Sequence, residues 1–310
     1  MNVLVSGGAG FIGSHLCDAL IAQEKEVFCV DNLVSGRKQN IVHLLDNNKF
    51  HFLQKDVNEF VCEKKVDEVF HLASLASPVD YFSKPVETML VGSVGTKNLL
   101  DLAVKNKAKF LFTSTSEVYG DPLMHPQKES YWGNVNPIGK RSCYDESKRF
   151  SEALIKAYEF QFGFKGKIVR IFNTFGPRMR FDDGRVVPNF INQALNNKPL
   201  TVYGSGKQTR SFCFVSDMVE GIQKMMESDF SGPVNLGNPT EFSILEFAEK
   251  INELSGKKLE IEFKPALEDD PKKRKPDISL AKEKLNWSPK ISLEQGLIKT
   301  IDFFSERNNL

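Results

Sequence analysis

A glycine-rich run near the start of the chain constrains the possible folds more than any other feature. The run Gly-Gly-Ala-Gly-Phe-Ile-Gly at residues 7–13 follows a short apolar segment at residues 2–6 and precedes a helical pattern. Glycines at this spacing permit a tight turn and let the backbone approach a pyrophosphate, which then lies at the positive end of the helix. Glycine spacing alone is a weak signal, but its place between the first strand and the first helix predicts a dinucleotide-binding site.

Short apolar segments alternate with helical patterns along the first half of the chain. The expected strands are residues 2–6, 26–31, 50–54, 68–72, 109–113 and 167–172, and the clearest helical patterns cover residues 86–105 and 146–162. Strands that are apolar on both faces and alternate with helices are typical of a parallel sheet covered on each side. We therefore predict an α/β fold with a doubly wound parallel sheet of the Rossmann type.

The pattern changes after Phe172, where loops rich in Gly, Pro and Arg separate shorter helical patterns at 188–196, 244–254 and 293–304. We interpret this part as a smaller α/β lobe that binds the substrate. Its sequence is interleaved with that of the first lobe. The predicted dinucleotide-binding domain comprises residues 1–172 and 207–238, and the predicted substrate-binding lobe comprises residues 173–206 and 239–310.

Composition and charge argue against several kinds of partner. The formal net charge of +1 lacks the concentrated positive excess of a protein that follows a phosphate backbone, so we expect no nucleic acid. The five cysteines form no Cys-x-x-Cys pair and the histidines have no ligand spacing, so we expect reduced thiols and no metal. Without an apparent leader or an apolar stretch of membrane-spanning length, we expect a cytoplasmic protein with no membrane partner.

An acidic residue stands where the adenosine ribose of a dinucleotide is usually bound. Asp31 ends the second strand segment about 20 residues after the glycine run, where a carboxylate accepts hydrogen bonds from the ribose and repels the extra phosphate of NADP. We therefore predict NAD as the cofactor, with NADP left as an alternative because Arg37 is nearby. The other expected cofactor contacts are Gly7, Gly10, Phe11, Ile12, Gly13, Asn32, Ser35, Gly36, Arg37, Asp56, Val57, Leu72, Ser74, Tyr144, Lys148 and Thr174.

A tyrosine and a lysine form a candidate catalytic pair. Tyr144 and Lys148 are four residues apart at the start of a helical pattern, so their side chains share a face, and Thr115 ends the fifth strand beside them. A tyrosine that acts as a base near neutrality needs its pKa lowered by about 3 units, which corresponds to about 4 kcal/mol. An ammonium about 4 Å away supplies a similar energy at an effective dielectric constant of about 20, and the positive nicotinamide ring of a bound cofactor adds to it. We predict that the pair forms a proton-abstracting phenolate, although Tyr-x-x-x-Lys also occurs by chance on helix surfaces.

Six longer motifs carry a family resemblance. They are residues 114–122 (Ser-Thr-Ser-Glu-Val-Tyr-Gly-Asp-Pro), 131–139 (Tyr-Trp-Gly-Asn-Val-Asn-Pro-Ile-Gly), 141–146 (Arg-Ser-Cys-Tyr-Asp-Glu), 171–179 (Ile-Phe-Asn-Thr-Phe-Gly-Pro-Arg-Met), 182–187 (Asp-Asp-Gly-Arg-Val-Val) and 208–212 (Gln-Thr-Arg-Ser-Phe). Over essentially its full length the chain resembles the extended short-chain dehydrogenase/reductase family. Within that family it resembles the UDP-glucuronate decarboxylases.

The resemblance implies a reaction and a set of substrate contacts. Tyr144, with Thr115 and Lys148, takes the proton from the hydroxyl of sugar carbon 4 while NAD accepts the hydride. The resulting ketone lets carbon dioxide leave, and the hydride then returns to give UDP-xylose. The resemblance also implies a homodimer paired through the helices at 86–105 and 146–162. The implied contacts with the UDP-sugar are Asn173, Arg180, Arg185, Tyr203, Gln208, Arg210 and Arg274, the last toward the active centre.

Two positions separate this chain from relatives that share the first oxidation step. The chain has Ser116 where sugar-nucleotide 4,6-dehydratases have an acid for water loss, and Glu117 where UDP-sugar 4-epimerases have a small or hydroxyl residue. A 4-epimerase is therefore the second hypothesis for the function, followed by a 4,6-dehydratase and then by a non-catalytic NAD-binding regulator. Leu90 and Leu75 replace a lysine and a proline common in the family, so the identity of the sugar acid stays open at this point.

Overall fold

The fold is built around a large parallel sheet with smaller sheets beside it. The structure, a computed structural model, describes residues 1–265 and 273–308, so residues 266–272 and 309–310 of the expected substrate-binding lobe lie outside the described residues. The strands are β1 Asn2–Ser6, β2 Glu26–Val30, β3 Phe50–Leu53, β4 Glu68–His71, β5 Lys109–Thr115, β6 Gly166–Ile171, β7 Thr174–Phe175, β8 Leu200–Tyr203, β9 Thr209–Ser211, β10 Cys213–Phe214, β11 Val234–Leu236, β12 Glu241–Ser243, β13 Ile261–Lys264 and β14 Lys273–Arg274.

The helices cover the sheet and build the smaller lobe. They are α1 Phe11–Ala22, α2 Pro78–Ser83, α3 Pro85–Leu90, α4 Thr96–Asn106, α5 Ser142–Phe162, α6 Val186–Leu195, α7 Val215–Glu227, α8 Ile244–Leu254, α9 Ser279–Leu285 and α10 Leu293–Asn308. In the described part of the chain, no helix is both long enough and apolar enough to cross a membrane.

The main sheet has seven strands in the order β11-β6-β5-β4-β1-β2-β3, and every pairing in it is parallel. The sheet separates two apolar cores, because Val3 and Val5 of β1 face one core while Leu4 faces the other. The chain turns in opposite directions from β1 and from β4, and a ligand crevice is expected between the carboxyl ends of such strands. The predicted doubly wound α/β fold is confirmed.

The smaller sheets lie among the later elements. β8 pairs with β13, β7 pairs with β10, and β9 lies between β12 and β14. Of the segment expected to return to the main sheet, β11 does join it beside β6, whereas β9 belongs to the separate sheet that also contains Arg274. The exact division into two lobes stays a prediction.

The helical pattern at residues 86–105 contains a wide turn that periodicity did not predict. A π-helical turn at Val91–Gly95 links α3 to α4. A Cβ atom added to Gly92 would lie 2.7 Å from the Cβ atom of Ser147 in α5. The hydroxyl of Ser151 donates a 2.6 Å hydrogen bond to the Gly92 carbonyl. The turn therefore brings this helix against the segment of α5 that follows Tyr144.

A buried ion pair ties α5 to the sheet. Arg170 of β6 donates two hydrogen bonds to the carboxylate of Glu152, at 2.9 and 2.7 Å, and the hydroxyl of Ser114 in β5 donates a third at 2.6 Å. The side chains of Arg170 and Glu152 are only 12% and 14% exposed, so removal of one charge leaves the other without solvent or a counterion.

We expect Glu152→Ala to lower the free energy of unfolding by about 3 kcal/mol, because it leaves the Arg170 guanidinium buried and unpaired. The matched control is Glu159→Ala, which removes the more exposed pair with Lys156 in the same helix and is expected to change the free energy by less than about 1 kcal/mol. Urea denaturation at one fixed protein concentration measures both. Equal effects of the two substitutions would contradict this assignment.

Candidate active site

One cavity of about 760 Å³ opens at the carboxyl ends of the parallel strands. Its walls come from the loops after β1, β2, β4 and β5, from the start of α5, and from the segments around β7, β9 and β14. All the predicted catalytic residues line it: Thr115, Ser116, Glu117, Tyr144, Lys148 and Arg274. The predicted substrate residues also line it: Asn173, Arg180, Arg185, Tyr203, Gln208, Arg210 and Arg274.

The glycine run forms a tight turn beneath the cavity. Gly7 has φ +73°, and a Cβ atom there would lie 2.7 Å from the backbone nitrogen of Ala73 after β4. A Cβ atom on Gly13 would lie 2.1 Å from the Gly7 carbonyl oxygen, so side chains are excluded at both positions. Helix α1 begins at Phe11 with no acidic residue in its first turn. Its amides and its positive end are therefore suited to a phosphate.

Asp31 lies at the far end of this turn, one residue beyond β2. Its carboxylate accepts hydrogen bonds from the amides of Ala9 at 3.0 Å and Leu33 at 2.8 Å. A Cβ atom on Gly36 would lie 2.6 Å from the Asp31 carboxylate, so only glycine fits at position 36 without displacing that carboxylate. Burial raises the pKa of Asp31, although the two amide bonds oppose that change. Asn32 donates a 2.8 Å hydrogen bond to Asp56, which joins the loops after β2 and β3.

The structure places every predicted cofactor residue except Arg37 on the cavity wall. The guanidinium of Arg37 donates a 3.0 Å hydrogen bond to Asp182, while its backbone amide donates to the Ala9 carbonyl. Arg37 is therefore tied to the outside of the glycine turn. The guanidinium on which the NADP alternative rested is therefore paired with a carboxylate and does not line the cavity, and the choice between NAD and NADP stays a prediction.

Tyr144 and Lys148 lie in the first two turns of α5, as the sequence predicts. The Lys148 ammonium donates a 2.9 Å hydrogen bond to the Thr113 carbonyl and lies 4.7 Å from the centre of the Phe112 ring. It is 5.9 Å from the centre of the Tyr144 ring. The hydroxyls of Tyr144 and Thr115 are hydrogen-bonded. Thr115, Tyr144 and Lys148 thus converge on one wall of the cavity.

Burial controls the ionisation of this pair. It raises the pKa of Tyr144 to about 12 despite the hydrogen bond with Thr115, and it lowers the pKa of Lys148 to about 7. The prediction of a phenolate also counted on the positive nicotinamide ring, so it stays a prediction for the site with its cofactor bound. The ammonium by itself does not lower the pKa of Tyr144 here. The ammonium is held against the Thr113 carbonyl, and removal from water disfavours the charged forms of both groups.

Glu117 is enclosed by two arginines, and we call Glu117, Arg141 and Arg274 the Glu117 cluster. Arg141 donates to Glu117 at 2.6 Å, and Arg274 binds both carboxylate oxygens, one of them at 2.9 Å. Burial alone would raise the pKa of Glu117, but the charges of Arg274 and Arg141 outweigh it and hold the pKa at about 2. Sequence reasoning missed Arg141. Its only signal was its place at the start of the motif at 141–146.

Other cavity residues were also missed because their partners are distant in the sequence. Tyr81 of α2 stacks on the ring of Tyr144, with ring centres 5.2 Å apart and planes 10° from parallel. Asp80 accepts two hydrogen bonds from Arg180, at 2.8 and 2.9 Å. Asp183 similarly accepts two bonds from Arg185. Neighbouring carboxylates therefore hold both predicted substrate arginines in position.

Leu75 and Leu90, the two departures from the family pattern, both line the cavity. Leu75 is buried beside Tyr81 and Tyr144, while Leu90 is partly open to solvent. Within the described ranges, no group of three or more His, Cys, Asp or Glu residues is arranged to hold a metal ion.

Three features of the site define the class of protein. They are the glycine turn at the end of β1, the carboxylate after β2, and the buried Tyr-Lys pair beside a threonine at the end of β5. Together they are typical of a Rossmann-fold enzyme of the extended short-chain dehydrogenase/reductase class. Comparison with known sequences gives the family. Residues 4–300 match the family model described as GDP-mannose 4,6 dehydratase, and the chain belongs to that family.

Individual relatives narrow the comparison. The chain is 56% identical to UDP-glucuronic acid decarboxylase 1 of Arabidopsis thaliana over 307 residues, which is 99% of this chain and 70% of the relative. Among solved structures, UDP-glucose 4-epimerase of Thermotoga maritima superposes with a TM-score of 0.92 at 30% identity, covering 99% of this chain and 100% of that one. UDP-glucuronic acid 4-epimerase of Bacillus cereus, in complex with UDP-glucuronic acid and NAD, has a TM-score of 0.90 at 31% identity over 99% and 100% of the two chains.

We expect Tyr144 to remain a neutral phenol at pH 9 in the protein freed of nucleotides, because burial holds its pKa near 12. The ultraviolet difference spectrum between the wild type and Tyr144→Phe should then show no tyrosinate band at that pH. Circular dichroism at pH 9 serves as the control for retained structure. A tyrosinate band present in the wild type and absent from the variant would show that the phenol is already ionised.

Proposed function

We propose that this protein decarboxylates UDP-glucuronate to UDP-xylose through a 4-keto intermediate. The observation that carries the proposal is the Glu117 cluster, which lies in the same cavity as Thr115, Tyr144 and Lys148. Two guanidinium groups, one of them 5% and the other 20% exposed, lie against one carboxylate and leave an excess positive charge, which suits a sugar acid. The 56% identity to a plant UDP-glucuronic acid decarboxylase over nearly the whole chain supports the same reaction.

The residues of the glycine turn fit NAD as the cofactor. A Cβ atom on Gly10 would meet only the Gly7 carbonyl oxygen, at 3.1 Å, so the backbone beside the start of α1 is open to a pyrophosphate, and the first turn of α1 has no acidic residue. The Asp31 carboxylate suits the ribose hydroxyls. The chemistry that NAD supplies when bound is reversible hydride acceptance at sugar carbon 4. Its binding to the Bacillus cereus epimerase supports the same cofactor in this chain.

The side chains divide the remaining work. The phenolate form of Tyr144, which the Lys148 ammonium and a bound nicotinamide ring together would favour, takes the proton from the carbon-4 hydroxyl and later returns it. Thr115 holds the phenol oxygen by a hydrogen bond. The Lys148 ammonium lies in the same wall of the cavity and stabilises negative charge on the phenol oxygen of Tyr144. A ketone at carbon 4 is β to the carboxylate and so makes loss of carbon dioxide easy. Arg274 and Arg141 hold that carboxylate, and Ser116 lies beside them on the cavity wall.

The rest of the cavity suits the nucleotide of the substrate. Asn173, Arg180, Arg185 and Arg210 bind the diphosphate, while Tyr203 and Gln208 lie near the base. The side-chain amide of Gln208 donates a 2.7 Å hydrogen bond to the Tyr203 carbonyl, which stiffens that end of the cavity.

A UDP-sugar 4-epimerase is the second candidate, because solved 4-epimerases share the fold over nearly the whole chain, with TM-scores of 0.92 and 0.90. Glu117 and its two arginines favour decarboxylation, since an epimerase needs no group against a departing carboxyl. A 4,6-dehydratase reaction, after which the family model is named, suits this site less, because Ser116 occupies the position where loss of water requires an acid.

We also propose that the protein is a homodimer in the cytoplasm. Met89, Val94 and Phe150 form an exposed apolar surface on the adjacent helices α3–α4 and α5, on which a second copy can pack. All five cysteines are free thiols, which suits a reducing compartment.

We expect Tyr144→Phe to lower the decarboxylation rate by about 10²- to 10⁴-fold while UDP-glucuronate still binds, because the substitution removes only the proton acceptor. Carbon dioxide release and the mass of the nucleotide product measure the reaction. Formation of UDP-galacturonate by the wild type would establish the epimerase instead. Full activity of the variant would exclude Tyr144 as the base.

We expect Phe150→Asp to convert the dimer to a monomer, because it places a charge in the apolar surface between the two copies. Analytical ultracentrifugation measures the change. The matched control is Leu123→Asp, at an apolar loop residue that is 85% exposed and lies outside this helix pair, and it should leave the dimer intact. A monomeric wild type, or a dimer that survives Phe150→Asp, would contradict the proposed interface.

A further inference from the structure

A second carboxyl group is buried directly behind the Glu117 cluster. Asp145 follows the proposed base in α5 and is only 6% exposed. Its Oδ1 atom has no hydrogen-bond partner among the described residues, and the hydroxyl of Tyr81, which interacts electrostatically with Asp145, is in the same condition. A buried carboxyl oxygen without a partner is costly when ionised, so its position next to Tyr144 calls for a functional explanation.

Charged and titratable groups from four parts of the fold interact with Asp145. Within and just before α5 these are Arg141, Cys143, Tyr144 and Glu146, and from α2 the group is Tyr81. Glu117 comes from the turn after β5, and Arg274 comes from β14. Glu146 is partly exposed and forms a 3.5 Å ion pair with Arg149, so it contributes little net charge.

The net charge of the site therefore depends on Asp145. Arg141 and Arg274 carry two positive charges and Glu117 carries one negative charge. With a neutral Asp145 the cluster has a net charge of +1, and one substrate carboxylate brings it to zero. With an ionised Asp145 the cluster is already neutral, and a substrate carboxylate adds an uncompensated negative charge in a buried place.

We propose that Asp145 determines specificity for sugar acids, because it must be protonated for the Glu117 cluster to accept the substrate carboxylate. Asp145 is not among the described residues that line the cavity, so it acts through Arg141, Arg274 and Glu117. This inference rests on the proposed function, because that function supplies the carboxylate. At a pH above the pKa of Asp145, binding of UDP-glucuronate is accompanied by uptake of one proton by the Asp145 carboxylate. Binding of UDP-glucose, which has no carboxylate, causes no such uptake.

The direction of the pH dependence follows from burial. Burial raises the pKa of Asp145 to about 7, the charge of Glu117 raises it too, and the arginines oppose both. Asp145 is thus neutral below pH 7 and ionised above it, and affinity for a sugar acid falls as pH rises through this range. Lys148, whose pKa burial lowers to about 7, titrates over the same range, so the test must separate the two groups.

The test measures binding to the NAD-loaded Tyr144→Phe protein, in which turnover is suppressed, by isothermal titration calorimetry from pH 6 to 9. Buffers of different ionisation enthalpy report the number of protons taken up. We expect UDP-glucuronate to bind about 100-fold more weakly at pH 9 than at pH 6, because each pH unit above the pKa of Asp145 costs about tenfold in affinity, and to take up protons at pH 8. Both effects should be much smaller for UDP-glucose, because its affinity depends on the charge of Lys148 but not on the net charge of the Glu117 cluster.

Two further substitutions in the same background assign the effect. Asp145→Asn keeps the shape of the side chain but cannot ionise, so the affinity for UDP-glucuronate should lose the part of its pH dependence that exceeds that of UDP-glucose. Glu146→Gln is the matched control, because it removes the neighbouring carboxylate of the same helix and should leave the pH dependence unchanged. Thermal unfolding of each variant confirms that it is folded.

The outcomes distinguish this inference from the proposed function. If wild-type protein releases carbon dioxide but proton uptake is absent, or persists in Asp145→Asn, the role of Asp145 is overturned and the function stands. If UDP-glucuronate binds with Asp145-dependent proton uptake but no carbon dioxide is released, the function is overturned and the role of Asp145 stands. If UDP-glucuronate does not bind, both are overturned.

Discussion

Removal of ionisable side chains from water is the constraint on which this site depends. Tyr144 and Lys148 are buried at the carboxyl edge of the sheet and the Glu117 side chain is only 15% exposed, so removal from water disfavours the charged form of each of them. Only Glu117 has enough opposing charge to remain ionised, because Arg141 and Arg274 both bind it. Burial leaves Tyr144 with a pKa of about 12 and Lys148 with a pKa of about 7, so near neutrality the tyrosine is a neutral phenol while the lysine can change its charge.

The fold provides this environment with segments that are far apart in the chain. The turn after β5 contributes Glu117, the start of α5 contributes Arg141 and Tyr144, and β14 contributes Arg274. Strand β14 pairs with β9, so the small sheet carries its arginine to the edge of the large one. The π-helical turn at Val91–Gly95 presses on α5 from the other side and fixes the helix that bears the catalytic pair.

Sequence reasoning was most successful where chemistry and local pattern coincide. The glycine turn and the Tyr-Lys spacing are local, and each predicted residue of these two motifs lies on the cavity wall. It was less successful for ionisation, because the pKa of Tyr144 depends on how deeply the ring is buried and on where the Lys148 ammonium is held. It also missed Arg141, Tyr81 and Asp145, whose roles depend on neighbours supplied by other elements.

The sequence by itself determined the order of the six strands up to residue 172, the dinucleotide turn, and which side chains are available for proton transfer, since all of these follow from periodicity and residue type over short spans. Only the tertiary structure decided which charges meet. It placed two arginines against Glu117, turned Arg37 toward Asp182, and left the Oδ1 atom of Asp145 buried without a hydrogen-bond partner among the described residues. Electrostatic energies depend on distance and solvent exposure, and neither is set by separation along the chain.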